Sequence, residues 1–371
     1  MAATASSAHT GALELRAAKA GIAWYRTPLP REELRALNQR SDFKGLLQTL
    51  GFLGWLAFTA ALACYSARHF PWPVTVALTF GHGMGWAFLV NGFHELIHNS
   101  VFQTRWLNVF FLRIIAFLGW LNPHMFWASH TEHHKFTLHP PDDLEVVLPM
   151  QVTLRSFLQH GIVSPWALWG TLRGTFRLAC GIVEGEWANI LFPADEPEKR
   201  RDLINWARLL LIGHGALVIV SLALGWWMVP VVVTLAPFYG GWFQPLLNHA
   251  QHVGLQDNVP DFRLCCRTIT LNPFVQFLYW HMNFHTEHHM FAAVPCYNLP
   301  RLHRLIRHDL PPCPHGVIAT WREIIPILRR QKIEPGYQYV APLPPPRTTT
   351  TGHSSAAGAG AANGAAASCA G

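Results

Sequence analysis

Four long apolar stretches divide the chain: Gly45–Ala67, Val74–Phe93, Leu203–Leu224 and Trp226–Leu247. Each has about the 20 helical residues needed to cross a hydrocarbon core of about 30 Å. The first two are separated by the turn Arg68-His69-Phe70-Pro71-Trp72-Pro73, the last two by Gly225 alone. A fifth stretch, Leu107–Leu121, is apolar but would reach only about 22 Å as a helix, so it reads as buried or lying at the interface. Residues 122–202 mix prolines, tryptophans and charges and read as a cytoplasmic domain pressed on the membrane. Residues 248–340 return to a polar and aromatic mixture. Pro30 followed by Arg31-Glu32-Glu33-Leu34-Arg35 reads as the start of a short helix. The pattern predicts an all-α integral membrane protein with four membrane helices. A cytoplasmic leader occupies 1–45 and the membrane domain 46–340. A disordered tail rich in Pro, then Thr, Gly and Ala, fills 341–371.

Composition agrees with the pattern. Half of the 371 residues are hydrophobic and only 13% are charged, against about a quarter in an ordinary soluble domain. The formal charge of +7 is spread along the chain without a long basic block, which argues against nucleic-acid binding. Seven basic residues precede the first stretch, one lies in the first hairpin and none in the second, so the N-terminus is expected in the cytoplasm. No signal peptide is expected at the start. The seven cysteines are odd in number and form no CxxC pair, which argues against a disulfide framework and a thiolate zinc site.

Histidine changes the picture most. The cluster His-Thr-Glu-His-His occurs twice, at His130–His134 and His285–His289. Two further clusters are His94-Glu95-Leu96-Ile97-His98 and Asn248-His249-Ala250-Gln251-His252. Spacings of three and four place imidazoles on one helical face. Two of the clusters stand where an apolar stretch ends, and ionisable residues there are costly unless they do something. With four membrane helices and Leu107–Leu121 not crossing, all four clusters fall on the cytoplasmic side. If that stretch crossed, they would be split and could not form one site. Eight or nine imidazoles are too many for one ion and suit two, and imidazole suits Fe, Zn, Cu and Ni. A pair of irons held by nitrogen could activate O₂, which zinc could not. Glu95, Glu132 and Glu287 recur beside the histidines, either accepting the second ring N–H or standing in solvent. His249 is a possible ligand. His82 and His214 read as packing or tunnel-wall groups, and His69, His124, His139, His160, His303, His308 and His315 as interfacial or surface residues.

The three boxes resemble the signature of the membrane fatty acid desaturase superfamily, which also contains hydroxylases and ketolases. That signature, HxxxH or HxxxxH followed by HxxHH and a final HxxHH or QxxHH, is matched at His94–His98, His130–His134 and His285–His289, and the likeness spans roughly residues 50–310. It implies four membrane helices under a cytoplasmic cap enclosing two Fe(2+). It implies as ligands His94, His98, His130, His133, His134, His252, His285, His288 and His289. Asn248, four residues before His252, would hold a metal through water. The last box begins with His285 rather than Gln, which argues against the front-end type. There is no His-Pro-Gly-Gly haem segment, so the resemblance implies a separate electron donor of cytochrome b5 or ferredoxin type. The endoplasmic reticulum membrane is the expected location in a eukaryote.

The expected reaction is O₂-dependent introduction of a double bond into a fatty-acyl or lipid chain, with hydroxylation as the alternative, because one oxidant serves both. Trp86, Phe93, Phe126, Trp127, Trp242, Phe243, Trp280 and Phe284 could line a tunnel for such a chain, or simply pack. Two other classes compete. His94–His98 also reads HExxH, the motif of an intramembrane zinc metalloprotease, but that leaves both HTEHH clusters without a role. A non-catalytic membrane scaffold would leave all of them without one.

Overall fold

The structure is a computed structural model that describes residues 21–150 and 152–345. The residues before 21 and after 345 therefore lie outside it, including most of the expected tail and the first part of the expected leader. Among the described residues the elements are helical, and pairing is limited to isolated bridges.

A short helix α1 (Arg31–Leu37) begins after Pro30. The first long helix, α2 (Asp42–His69), is capped by Ser41, whose Oγ accepts from Lys44 N. Asp42 leans outward and accepts from Thr104 N at 2.9 Å and Thr104 Oγ1 at 2.6 Å, tying the start of α2 to a later loop. Pro71 ends the turn after α2, and α3 (Trp72–Trp86) runs back along it into α4 (Leu89–Ile97). These two read together as one apolar helix, Trp72–Ile97. After α5 (Arg105–Leu118) and α6 (Pro123–Phe136) come α7 (Leu154–Gly161), α8 (Pro165–Ala179) and α9 (Glu186–Leu191). The third long helix is α10 (Pro197–Ala223). Among the described residues three helices are thus long and apolar enough to cross a membrane, Asp42–His69, Trp72–Ile97 and Pro197–Ala223, or four if the bent pair α5 and α6 counts as one span. They leave large apolar side chains exposed, among them Leu47, Phe58, Val76, Ile212 and Ile219, as a lipid-facing surface requires.

The stretch Trp226–Leu247 departs from the expected fourth span. It is not one helix but α11 (Met228–Val232), a 3-10 turn Ala236–Phe238 and α12 (Phe243–His249). Proline explains the interruption, because Pro230 and Pro237 each lack the N–H that a continuous helix would use. The gap is filled from elsewhere: Ser164 N donates to Phe238 O at 2.8 Å, and Gly240 N to Ile162 O at 2.8 Å. Gly240 has φ +69°, and a Cβ there would stand 2.4 Å from the Phe80 carbonyl of α3. This break therefore lies directly against a long helix, at a distance only glycine permits.

Most of Leu107–Leu121 lies in α5, which meets α6 at 107°, and the bent pair has the length and composition of a broken span or a re-entrant loop. The rings of His98, before this excursion, and His130, after it, are 5.0 Å apart, so the chain returns to where it left.

The last third is built from the short helices α13 (Phe262–Cys265), α14 (Pro273–Leu278), α15 (His285–Met290) and α16 (Leu299–Ile306), followed by the eighteen-residue α17 (Gly316–Ile333). The turn before α16 meets the start of α2. Tyr297 accepts from Ser41 N at 2.8 Å, and Asn298 donates to Leu37 O at 2.8 Å. Residues 24–27 are not a free leader but part of this assembly. Trp24 stacks on Phe262 at 4.1 Å, and Tyr25 and Thr27 both donate to Asp309 at 2.7 Å. Arg263 bridges Asp261 and Asp309 beneath Tyr25. Trp280, Tyr279, Phe52, Phe88, Phe93 and Phe262 are fully buried and form one core that joins the long helices to the short ones. Gly92 lets Trp280 sit against α4, because a Cβ there would meet the indole at 2.7 Å.

Candidate metal centre

Four elements bring the histidines together. α4 carries His94 and ends at His98, and α6 carries His130, His133 and His134. His252 follows α12, while α15 carries His285, His288 and His289. Asn122 caps α6 and Pro123 starts it, which sets where its histidines fall.

The side chains sort into two groups. In the first, ligand atoms of His94, His98, His130, His134 and His288 all lie within 4.8 Å of one another. In the second the same holds for His252, His285, His289 and the Cys266 thiol. His133 stands beside the second group, its ring 5.0 Å from His289 and 5.3 Å from His252. The two HTEHH copies are thus exchanged. Residues one and five of each copy go to one group, and residue four points to the other. Positions i+3 and i+4 flank position i on one helical face and stand about 100° apart around the axis, so they can turn to different groups.

Several ring nitrogens face each other in pairs. His130 Nε2 and His134 Nε2 are 3.0 Å apart, His134 and His288 3.2 Å, and His252 and His285 2.9 Å. Nitrogens bound to one ion at about 2.1 Å stand roughly 3 Å apart. The buried His98 Nε2 and His289 Nε2 have no hydrogen-bond partner. One such buried nitrogen without a partner in each group fits a metal ion there. The outer nitrogens of five rings are held. His94 Nδ1 donates to Glu95 Oε1 at 3.1 Å and His133 Nδ1 to Asp143 Oδ2 at 2.7 Å. His130 Nδ1 donates to Glu145 Oε1 at 2.8 Å, His252 Nδ1 to Cys265 O at 2.8 Å and His289 Nδ1 to Thr137 Oγ1 at 3.1 Å. A neutral ring that donates from Nδ1 presents a bare Nε2, the form that binds a metal. Burial pushes His252 down to about 3, with His133 adding to the shift. Burial also pushes His285, His288 and His289 well below the usual imidazole range, with neighbouring imidazoles adding to it. A downward shift favours the neutral ring, the form that metal ligation requires.

Not every expected residue joins. His249 lies on α12 outside both groups. Asn248 is exposed, and its Oδ1 accepts from Tyr279 OH at 3.3 Å and Asn91 Nδ2 at 3.4 Å. Glu95 is fully buried, touches His94, and lies 3.7 Å from His288 Nδ1. Glu132 faces outward to Lys135 at 3.0 Å. Glu287 is buried but bonds His303 and Thr268 rather than a ligand. His303 and His139 are therefore not surface residues: the first pairs with Glu287, and the second is buried with Nδ1 on Thr137 O. His82 and His214 are buried packing groups, bonded to Val232 O and Phe117 O. Of the expected aromatics, Phe126 stacks on His130 at 4.8 Å and Phe93 on Phe126, whereas Trp127 is exposed. Asp143 and Glu145, which hold His133 and His130, have no place among the expected residues. The signal for the carboxylates is Asp142-Asp143-Leu144-Glu145, an acidic run directly after the second box.

A comparison with protein-family models matches residues 69–321 to Fatty acid desaturase. The chain belongs to the fatty acid desaturase family. The match covers all three boxes, the His252 segment and the Cys265-Cys266 pair. As a member of this family the protein is a membrane-bound oxidoreductase, in keeping with its three apolar helices and its histidine groups. No curated protein matches the chain significantly.

Proposed function

We propose that the protein is an O₂-dependent di-iron oxidase that introduces a double bond into a fatty-acyl or lipid hydrocarbon chain. The observation that carries this reading is the pair of groups, five buried or half-buried imidazoles in one and three buried imidazoles with a buried thiol in the other, that share the exchanged HTEHH copies. The first ion would be held by His94, His98, His130, His134 and His288, the second by His252, His285 and His289 with His133 alongside. Two irons there would supply the oxidising power to remove hydrogen from an unactivated C–H bond, given O₂ and electrons from a separate donor protein.

The chain's own part is to orient and exclude. Glu95, Asp143 and Glu145 accept ring N–H groups and so point Nε2 inward. Phe126 and Phe93 close the site on one side, and burial keeps bulk water from the ligands. A groove of about 860 Å³ between α5 and α10, lined by Trp106, Phe110, Ile114 and Phe117, would suit an acyl chain. It shares Arg105, Val109, Arg113, Trp206 and Leu209 with a larger cleft of about 1320 Å³ that reaches Leu96 and Ile97, beside His98. We place the metal site on the cytoplasmic side, with the broken stretch Trp226–Leu247 as the fourth crossing and residues 46–340 as one membrane unit.

Expression in a lipid-defined host, with lipid profiling of wild type against His133→Ala, tests the reading. The expected result is a product lighter by two hydrogens that the variant does not make. A product heavier by one oxygen would make the protein a hydroxylase of the same superfamily. Unchanged lipids with wild type present in the membrane would sink both.

A further inference from the structure

The two groups are unequal. The first holds five imidazoles, while the second holds only three within the same distance. A sulfur stands with those three. Cys266 Sγ lies within 4.8 Å of the ligand nitrogens of His252, His285 and His289, and the residue is 1% exposed. The histidine closest in role to a fourth ligand, His133, stands outside this group, and Asn248 is engaged with Tyr279 and Asn91.

Cys266 does not reach this place by chance of a mobile side chain. It ends α13 in an extended conformation, and its N–H donates to Phe262 O at 2.9 Å. The next residue is pinned as well, with Arg267 N on Gln251 O at 2.7 Å. Arg267 also donates to Ala250 O at 2.6 Å. The backbone beside His252 and the backbone of Cys266 are therefore stitched together. The preceding carbonyl, Cys265 O, holds His252 Nδ1 and turns its Nε2 inward. The polar contact recorded for the Cys266 thiol is Cys265 Sγ at 3.9 Å, a weak one. Opposite it, the buried His289 Nε2 has no hydrogen-bond partner. A buried thiol and an orphaned imidazole nitrogen directed at the same space suit a shared ion.

We propose that Cys266 is a ligand of the second ion, giving it a donor set of three imidazoles and one thiolate, with His133 adjacent. This rests on the metal reading above. On ligation the thiol proton leaves and the Sγ–metal bond takes its place. The thiolate is softer than imidazole and carries a full negative charge, so the two ions become chemically distinct. The ion bound by sulfur would be harder to reduce than its all-nitrogen neighbour.

The test uses the full-length protein in detergent, stripped of metal and reloaded with Zn²⁺, read by metal content and zinc-edge X-ray absorption. Two zinc ions per chain are expected, with a sulfur shell at about 2.3 Å beside the nitrogens at about 2.0–2.1 Å. Averaged over both ions, this amounts to half a sulfur per zinc. The sulfur shell should vanish in Cys266→Ser and persist in Cys265→Ser. Two bound zincs with nitrogen and oxygen alone in the wild type would overturn the assignment while leaving the metal centre intact. So would a sulfur shell that survives Cys266→Ser. Should Cys266→Ser fail to fold, the wild-type and Cys265→Ser spectra decide by themselves. Absence of bound zinc would overturn the metal reading, and this assignment with it.

Discussion

The two copies of HTEHH are identical in sequence and unlike in surroundings. The first lies in α6, a fourteen-residue helix, and its glutamate, Glu132, faces outward to Lys135. The second is almost the whole of α15, six residues long and buried throughout, and its glutamate, Glu287, has no exposure. The outer bonds differ in the same way. Asp143 and Glu145, from the turn after α6, hold the rings of His133 and His130. The second copy has His289 on Thr137, a residue supplied by the first copy's own helix end. One set of five residues therefore takes two kinds of support. The histidines keep their roles because helix geometry fixes their relative directions. The glutamates do not, because what each meets depends on which side of its helix is packed.

Loss of an inner ligand should give the largest effect. His134→Ala and His289→Ala are each expected to remove one ion and lower activity by more than the roughly 10–100-fold typical of an outer partner. Iron per chain in the purified variants checks this. Retention of both ions in either variant would break the equivalence of the copies.

The glutamates should then separate them. Glu287→Ala leaves His303 and Thr268 buried without their acceptor, and is expected to cost about 2–4 kcal/mol. Glu132→Ala removes a surface pair and should stay within about 0.5 kcal/mol. Thermal unfolding in detergent would show the contrast, and equal losses would deny it.

The outer carboxylate of the first copy should act more subtly. Asp143→Asn keeps the shape but weakens the grip on His133, with metal affinity expected to fall about 10–100-fold by competition titration. Burial alone would raise the Asp143 carboxyl. The His133 ring beside it, their hydrogen bond and the N–H groups of Leu138 and Glu145 together hold it below the usual range. A lowered carboxyl contributes stability that is full above its unfolded value of about 3.9 and is lost as pH falls through the lower folded value. The stability gap between wild type and Asp143→Asn should therefore shrink on acidification. A gap that widens would contradict this origin.

Much of the protein is legible without coordinates. Long apolar runs favour helices, because a chain in hydrocarbon has to satisfy its own backbone. Among the described residues three such helices form, and the short run at Leu107–Leu121 is bent sharply against the helix that follows. The histidine boxes are equally readable, because spacings of three and four on a helix project onto neighbouring faces and imidazole is a strong ligand. The remainder depended on contacts distant in sequence. Prolines inside Trp226–Leu247 break what hydrophobicity alone presents as a helix, and backbone from residues 162–164 fills the gap. Glu287 found His303 and Thr268, and Asn248 found Tyr279 and Asn91, because packing brought those partners near. Cys266, which has no box of its own, entered the second group because α13 and the turn after α12 are bonded backbone to backbone. Local spacing determined which histidines could converge. Tertiary packing alone decided what stands behind them, because a partner's identity depends on which distant segment fills the space.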